Sequence, residues 1–276
     1  MKHLKITLVL LTLCFNSHAD AQIFKKLGEK ISKVAEKTIE KKNEEKTEKD
    51  PSKASDSTFN NSKENKKEKN NPFNISVSKA APARNYNFSH KYTMQIQSDK
   101  RTTDINYYLT NSGNYIASTI PDKKGRTDVI TVMDLSRETI FMFMENKGDK
   151  TLMSMNLNLE ETTEDAIEET DVSITPTGNK KPILGYSCEE FKVVGKDLNG
   201  SVWVTQNAGI SFSKSFYNIK AKKGANQSWM KMLNGLTMEM DMVDTSKRKP
   251  QRTVMTCIAL DKVTLNIDTD NYKKLM

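Results

Sequence analysis

"GLTMEMDMVD" (residues 235–244) is the stretch that determines the fold class. Its apolar and polar positions alternate, with Leu236, Met238, Met240 and Met242 set between Thr237, Glu239 and Asp241. Successive side chains of a β-strand point to opposite faces of a sheet. The period of two therefore predicts a strand with one apolar face and one polar face.

The same period recurs over residues 72–276 in short runs separated by turn residues. The runs are 87–97, 103–110, 114–120, TDVITVMD, RETIFMFME, 151–160, the run around Cys188, 200–206, 252–260 and 262–268. About ten strands joined by short turns predict a mainly β (α+β) domain built on one antiparallel sheet. Two short helices are predicted between the strand of Trp203 and that of Met238, in "SKSFYNIKAK" and "NQSWMKMLNG".

Methionine is the most unusual feature of the composition. The chain has 14 methionines, many of them two residues apart. The candidate residues for an apolar ligand cavity are Met142, Met144, Met153, Met155, Leu157, Leu236, Met238, Met240 and Met242. Three interpretations stay open: a core filled by flexible thioethers, a concave surface for a hydrophobic ligand such as an acyl chain, or a soft-metal site for copper.

The N-terminus has the pattern of an export signal. Two lysines precede an apolar run that ends near Asn16, and Ala19 and Ala21 mark a cleavage site before Gln22. The apolar run is about half as long as a membrane-spanning helix requires. Residues 1–21 are thus predicted to be a signal peptide, and the protein is expected in the periplasm or outside the cell.

Two further regions separate the signal from the β-rich domain. Residues 22–46 carry apolar side chains at helical spacing between lysines and glutamates, which predicts a basic amphipathic helix. It either remains solvated or contacts an anionic membrane surface or a partner through residues 23–46. Residues 47–71 are charged and polar, with Phe59 as the one large apolar side chain, and are predicted to be a disordered linker.

The net charge does not indicate nucleic-acid binding. The chain carries +8, but residues 25–71 alone hold 14 Lys and 10 acidic residues. Residues 72–276 retain only +3, and export also disfavours a nucleic-acid partner. The expected partners are a lipid or another hydrophobic small molecule, and the membrane surface.

Two cysteines remain after the predicted cleavage, Cys188 and Cys257. An even number in an exported protein makes them a candidate disulfide. Two buried free thiols and a reactive or metal-binding thiol are the alternatives.

Catalytic signatures are scarce in the sequence. His90 is the one histidine beyond the signal, and no flanking motif makes it a catalytic base. The acidic residues between Glu160 and Asp171 lack the spacing of a calcium loop, and no glycine-rich phosphate loop occurs. We therefore expect a protein that is not an enzyme and has no cofactor.

Several stretches resemble a known family of exported proteins, domain of unknown function 4412. They are "ILGYSCEEFKVV", "GSVWVTQNAGI", "NGLTMEMDMVD", "TVMTCIALDKVTLNID", the closing "DNYKKLM" and the leader "AQIFKKLGEKISKVAEKTIEKK". The resemblance implies a fold similar to the LolA and LolB lipoprotein carriers. In those, a curved antiparallel sheet forms an incomplete barrel, and short lid helices cover a lipid-holding hollow. The family brings no activity and no functional residue to this chain.

Overall fold

The alternating stretches form the strands of a single sheet. The computed structural model describes residues 78–98, 101–111, 114–121, 129–146, 148–157, 172–218, 228–246 and 248–275. Its strands are β1 (Asn85–Ser98), β2 (Arg101–Leu109), β3 (Tyr115–Thr119), β4 (Val129–Asp134), β5 (Thr139–Asn146), β6 (Asp149–Asn156), β7 (Val172–Ile183), β8 (Tyr186–Gly195), β9 (Leu198–Thr205), β10 (Leu236–Asp244), β11 (Gln251–Asp268) and β12 (Lys273–Lys274). The prediction of a mainly β fold is confirmed.

The sheet consists of two meanders joined through their first and last long strands. Its strand order is β12-β6-β5-β4-β3-β2-β1-β11-β10-β9-β8-β7. Every pair is antiparallel except the short pairing of β12 with β6. The sheet is open, because β7 forms one edge and the β6–β12 pair forms the other.

The sheet curves around one of its faces, as expected for an incomplete barrel. The Tyr92 hydroxyl on β1 donates a hydrogen bond of 2.9 Å to the Thr237 carbonyl on β10, although β11 lies between these strands. A side chain spans that separation when the sheet bends toward it. We call the face that carries Tyr92 and Met240 the inner face, and the opposite face the outer face.

The outer face of the first meander carries a core of its own. Its buried members are Tyr86, Phe88, Ala117, Val132, Phe141, Phe143, Leu152 and Ile267. Ala80, Ala83 and Tyr272, which lie outside the long strands, pack against them. The first meander is therefore buried on both faces, which explains why "TIFMFM" in β5 is apolar at nearly every position.

A buried carboxylate attaches the segment before β1 to this core. Asp134 is 1% exposed and accepts hydrogen bonds from the Tyr86 hydroxyl (2.9 Å) and the Arg137 guanidinium (2.9 Å). Arg137 also donates to the Ala81 carbonyl, and the Ala83 amide donates to Tyr86. Burial raises the pKa of Tyr86 strongly, so the phenol stays protonated and serves as the donor to Asp134.

Three details of the prediction require correction. The runs 252–260 and 262–268 were predicted as two strands, but β11 is one strand of 18 residues whose pairing with β1 has two register shifts. An extra residue in a strand reverses the alternation without ending the strand, so each bulge resembles a turn in the sequence.

The second correction is β7, which the pattern did not predict. This edge strand contains Pro176 and Pro182 and is mostly exposed, so it lacks an apolar face. The third concerns the lid helices, which are 3₁₀ helices of five residues each, Lys214–Asn218 and Ser228–Met232.

The predicted N-terminal regions cannot be placed in this fold. The signal peptide, the amphipathic helix, the linker and the acidic connection between Glu160 and Asp171 lie outside the described residues. Within the described ranges, no helix has the length and apolar character needed to span a membrane.

Candidate functional site

The methionine face of β10 lies inside the curved sheet. Leu236, Met238 and Met242 are fully buried, and Met240 is 2% exposed. The intervening Glu239 and Asp241 form ion pairs with Lys181 and Arg252 on the outer face. The alternation read from the sequence therefore corresponds to the two faces of this strand.

The other candidate methionines belong to the opposite part of the same sheet. Met142 and Met144 on β5 and Met155 on β6 are buried, whereas Met153 is half-buried. Leu157 follows β6 and is also buried. Along β5, Met142 and Met144 alternate with the outer-face residues Phe141 and Phe143. Both methionines therefore lie on the inner face.

A close approach between β9 and β10 shapes the methionine face. Gly200 on β9 pairs with Met242. A Cβ atom at Gly200 would lie 2.6 Å from Met242 Sδ and 2.9 Å from Met242 Cα, and closer still to the Asp241 carbonyl. Glycine at position 200 therefore lets Met242 lie flat across the neighbouring strand.

The connection between β9 and β10 covers the inner face. We call residues 206–218 and 228–235 the cover segment. The Phe212 ring makes edge contacts with Tyr92 and Tyr107, at centroid distances of 5.4 and 5.5 Å, and stacks on Phe216. The buried side chains of the segment are Ile210, Phe212, Phe216, Trp229, Met230 and Leu233. Side-chain packing rather than strand pairing thus holds the described parts of the segment in place.

One buried donor of the cover segment has no acceptor among the described residues. The Trp229 side chain is 1% exposed, and no hydrogen-bond partner for its Nε1 is found in the described part of the structure. A buried N–H group without an acceptor is uncommon in folded proteins, because its lost hydration is not replaced.

An open cavity of about 530 Å³ lies where the cover segment meets the loops of the first meander. Its lining residues are Leu109, Thr110, Asn111, Asn114, Tyr115, Ile116, Leu135, Gln206, Gly209, Ile210, Ser211, Ser213, Phe216 and Gly235. None of the nine candidate residues from the sequence is among them. The volume is within the roughly 300–1,000 Å³ of typical small-molecule sites.

The cavity has an apolar floor and a polar rim. The floor is formed by buried side chains, namely Leu109, Ile116, Leu135, Ile210 and Phe216. The rim consists of exposed or half-buried neutral side chains, namely Thr110, Asn111, Asn114, Gln206, Ser211 and Ser213. A hydrogen bond of 2.8 Å from the Leu135 amide to the Asn114 carbonyl joins two of the lining loops.

The floor continues into the methionine face. Ile116 pairs with Met133 across β3 and β4, Met133 pairs with Ile140, and Ile140 pairs with Met155. Directly paired residues in a sheet project from the same face. A continuous apolar row therefore runs from the cavity to the edge of the sheet, and Met155 is the candidate residue at its end.

The cysteines do not form the predicted disulfide. Cys188 and Cys257 are both buried free thiols. They lie on β8 and β11, with β9 and β10 between them in the sheet. Two buried free thiols, the alternative considered from the sequence, describe the structure.

Burial also makes both thiols unreactive. It raises the pKa of Cys188, and it raises the pKa of Cys257 to about 12. The Cys188 Sγ donates to the Tyr186 carbonyl at 3.3 Å, and the Cys257 Sγ donates to the Ala259 carbonyl at 3.4 Å. At neutral pH neither thiol is in the thiolate form that nucleophilic catalysis and metal binding require.

Other candidate chemistry is not assembled in the described ranges. His90 is half-buried on β1, and its Nδ1 is 2.9 Å from the Ser89 hydroxyl. Among the described side chains, no group of three His, Cys, Asp or Glu residues is placed to hold a metal ion.

Comparison with known proteins identifies a family model and distant structural matches. The model described as "Domain of unknown function (DUF4412)" matches residues 88–269. No curated protein matches the sequence. The structure of PNGF-II in the C2 space group aligns at 13% identity over 68% of this chain and 30% of its own, with a TM-score of 0.36. This chain thus spans less than a third of that protein.

Two further solved structures align at lower identity. An uncharacterized conserved protein from Thermus thermophilus aligns at 5% identity over 66% of this chain and 83% of its own, with a TM-score of 0.34. MucB in complex with MucA(peri) aligns at 6% identity over 67% of this chain and 54% of its own, with a TM-score of 0.30. Similarities at this level define no functional relationship.

Proposed function

The chain belongs to the family described as domain of unknown function DUF4412, and from its geometry we propose an exported, non-enzymatic binding protein that holds an acyl chain against the inner face of the sheet. The description of the family names no activity, so the proposal depends on this chain's own residues. The observation that carries it is the cover segment, which closes a concave apolar face and borders an open cavity.

A removable cover is what a carrier of hydrophobic ligands requires. The described parts of the cover segment hold short 3₁₀ helices and make no strand pairing with the sheet. Displacing them breaks side-chain contacts such as that of Phe212 with Tyr107 but leaves the strand ladder intact. Segments of this kind open at lower free-energy cost than sheet strands do.

The residues beneath the cover suit a flexible apolar ligand. Methionine has three rotatable side-chain bonds and adapts its shape to an inserted chain. The cavity provides an entrance whose floor continues through Ile116 and Met133 toward Met155. We propose that an acyl chain enters at the cavity and follows this row while the cover segment moves outward.

The N-terminal region completes the proposal. A basic helix over residues 23–46 on a linker over 47–71 would hold the domain near an anionic membrane surface, where lipid ligands are available. The sequence resemblance to the family implies a similar arrangement to that of the LolA and LolB carriers, a half-barrel with a short covering segment. We carry over no ligand from them.

One observation favours a second candidate, a structural or interaction module with a sealed core. The β10 methionines are 0–2% exposed, and none of them lines the cavity. If the cover segment never opens, these side chains are ordinary core residues.

Native mass spectrometry and an acyl-probe titration separate the two candidates. We expect the purified full chain to retain a lipid and to bind a fluorescent fatty-acid analogue. Ile210→Trp places a larger side chain at the cavity and should reduce probe binding about tenfold or more, whereas the matched control Ile210→Leu should bind as the parent does. Circular dichroism and thermal melting of both variants verify the fold. Absence of lipid and of probe uptake in the parent protein would establish the sealed core.

A further inference from the structure

Resting on the proposed function, we infer that the cavity is a headgroup site that selects ligands with an uncharged, hydrogen-bonding headgroup. The class includes glycerol esters and other neutral hydroxylated lipids. Fatty-acid carboxylates and phospholipid phosphates lie outside this class, because the described rim side chains are neutral and offer an anion no ion pair.

The first argument is the chemistry of the rim. Its members are two asparagines, one glutamine, two serines and one threonine. Each amide offers donors and an acceptor, and each hydroxyl can do both. Such a set matches a ligand group that itself donates and accepts, as the hydroxyls of a glycerol ester do.

The second argument is that the described lining residues are neutral. None of the fourteen described lining residues is Lys, Arg, His, Asp or Glu. Tight binding of a carboxylate or phosphate generally uses a cation or several convergent N–H donors, and the described lining supplies no cation. A neutral headgroup exchanges its water hydrogen bonds for those of the rim at little cost.

The third argument is the order of the two surfaces. The polar rim is directly followed by the floor of Leu109, Ile116, Leu135, Ile210 and Phe216. An amphiphile has the same spatial order, with a polar head followed by an apolar chain. The cavity therefore accepts both parts in one orientation, with the head at the rim and the chain toward the inner face.

Trp229 provides a fluorescent reporter in the cover segment. Its indole N–H is buried without an acceptor among the described residues. The 3₁₀ helix that carries it contacts the helix that carries Phe216, a floor residue. A ligand oxygen that reaches below the rim would supply the missing acceptor, and its arrival would change the indole fluorescence.

The test measures affinity by Trp229 fluorescence in the full-length Trp203→Phe variant, which retains one tryptophan of the two. The probes are 1-oleoylglycerol, oleate and oleoyl-lysophosphatidylglycerol at pH 8, with glycerol alone as the headgroup control. We expect 1-oleoylglycerol to bind at least about tenfold more tightly than either anion, and glycerol alone to bind far more weakly.

Charge substitutions at the rim test the location. Asn111→Asp combined with Asn114→Asp should weaken 1-oleoylglycerol binding about tenfold, because each change removes amide donors and adds a charge. Asn199→Asp on β9, an exposed asparagine outside the cavity, is the matched control and should bind as the parent does. Both rim positions are exposed, so the fold is retained, and thermal melting checks this.

The outcomes distinguish this inference from the proposed function. Equal affinities for oleate and 1-oleoylglycerol, or an unchanged affinity in the double variant, overturn the headgroup selectivity and leave the acyl-chain carrier standing. Failure of all three lipids to bind overturns the carrier proposal and the inference together. Glycerol binding as tightly as 1-oleoylglycerol overturns the acyl-chain proposal and supports a site for free polyols.

Discussion

Leu184 lies at the tip of the β7–β8 hairpin in a backbone conformation that disfavours leucine. Its φ is 52°, that of the following Gly185 is 82°, and Ile183 pairs with Tyr186 across the turn. Positive φ at both central positions is the requirement of a type I′ turn, for which Asn-Gly is the preferred sequence. The Leu184 side chain is also 48% exposed, so little packing offsets the strain.

Leu184→Asn is therefore expected to raise the free energy of unfolding by about 1 kcal/mol, since asparagine tolerates positive φ. Urea denaturation followed by circular dichroism measures the change. Leu184→Gln removes the same exposed apolar surface without this tolerance, and it should give no comparable gain. Equal stability of the two variants would show that the turn is not strained.

The free thiols give a second prediction at the scale of single residues. Iodoacetamide without reductant should label both Cys188 and Cys257 in urea, because neither is in a disulfide. The same reagent at pH 8 should label neither in the folded protein, because burial removes access and raises both pKa values. Peptide mass spectrometry reads both results. Unlabelled cysteines in urea would restore the disulfide that the sequence suggested.

At the scale of elements, the strands differ in how well the sequence predicts them. β10 was predicted because one face is core and the other carries Glu239 and Asp241, so its period of two is undisturbed. β7 was missed because an edge strand with two prolines has no apolar face to mark it. β11 was divided because bulges interrupt its alternation. The period predicts a strand only where burial differs between its faces.

Prediction of the candidate site from the sequence has the same limit. The apolar inner-face residues have a periodic signal, so Met238 and Met240 could be found from spacing. The rim residues come from separate loops, such as Asn114 before β3 and Gln206 after β9, and each resembles an ordinary turn residue. Only the tertiary fold brings them to one cavity.

A prediction for the pairing of β9 with β10 concerns Gly200. Gly200→Ala should lower the free energy of unfolding by about 1–3 kcal/mol, because its Cβ would overlap the Asp241 carbonyl and Met242. Asn199→Ala, one residue away and exposed, should change stability by less than about 0.5 kcal/mol. Urea denaturation of both variants measures the difference. A harmless alanine at position 200 would mean that the two strands are not in close contact.

At the scale of the whole molecule, the β1–β11 pairing is the junction on which both meanders depend. The two strands are paired from Asn85 with Asp268 to Ser98 with Thr253, and each also pairs with a second strand. The cover segment has no such ladder in its described parts. Local stability should therefore decrease from the junction to the cover segment.

Native-state hydrogen exchange tests this gradient. Amides of β1 and β11 are expected to exchange only through global unfolding, and those of the cover segment through an opening of lower free energy. The turn amides of Phe216 and Leu233, which bond to carbonyls three residues earlier, are suitable probes. Equal protection of Phe216 and the β1 amides would contradict a removable cover.

The β1–β11 junction also affects how the chain folds. Tyr92 pairs with Leu260, 168 positions later in the sequence. During synthesis the strands β2 to β6 are made long before β11, so the β11 side of β1 stays unpaired until β11 has been made. A contact of such sequence separation makes folding slow. The two meanders thus remain separate in the nascent chain until β11 pairs with β1 and joins them into one sheet.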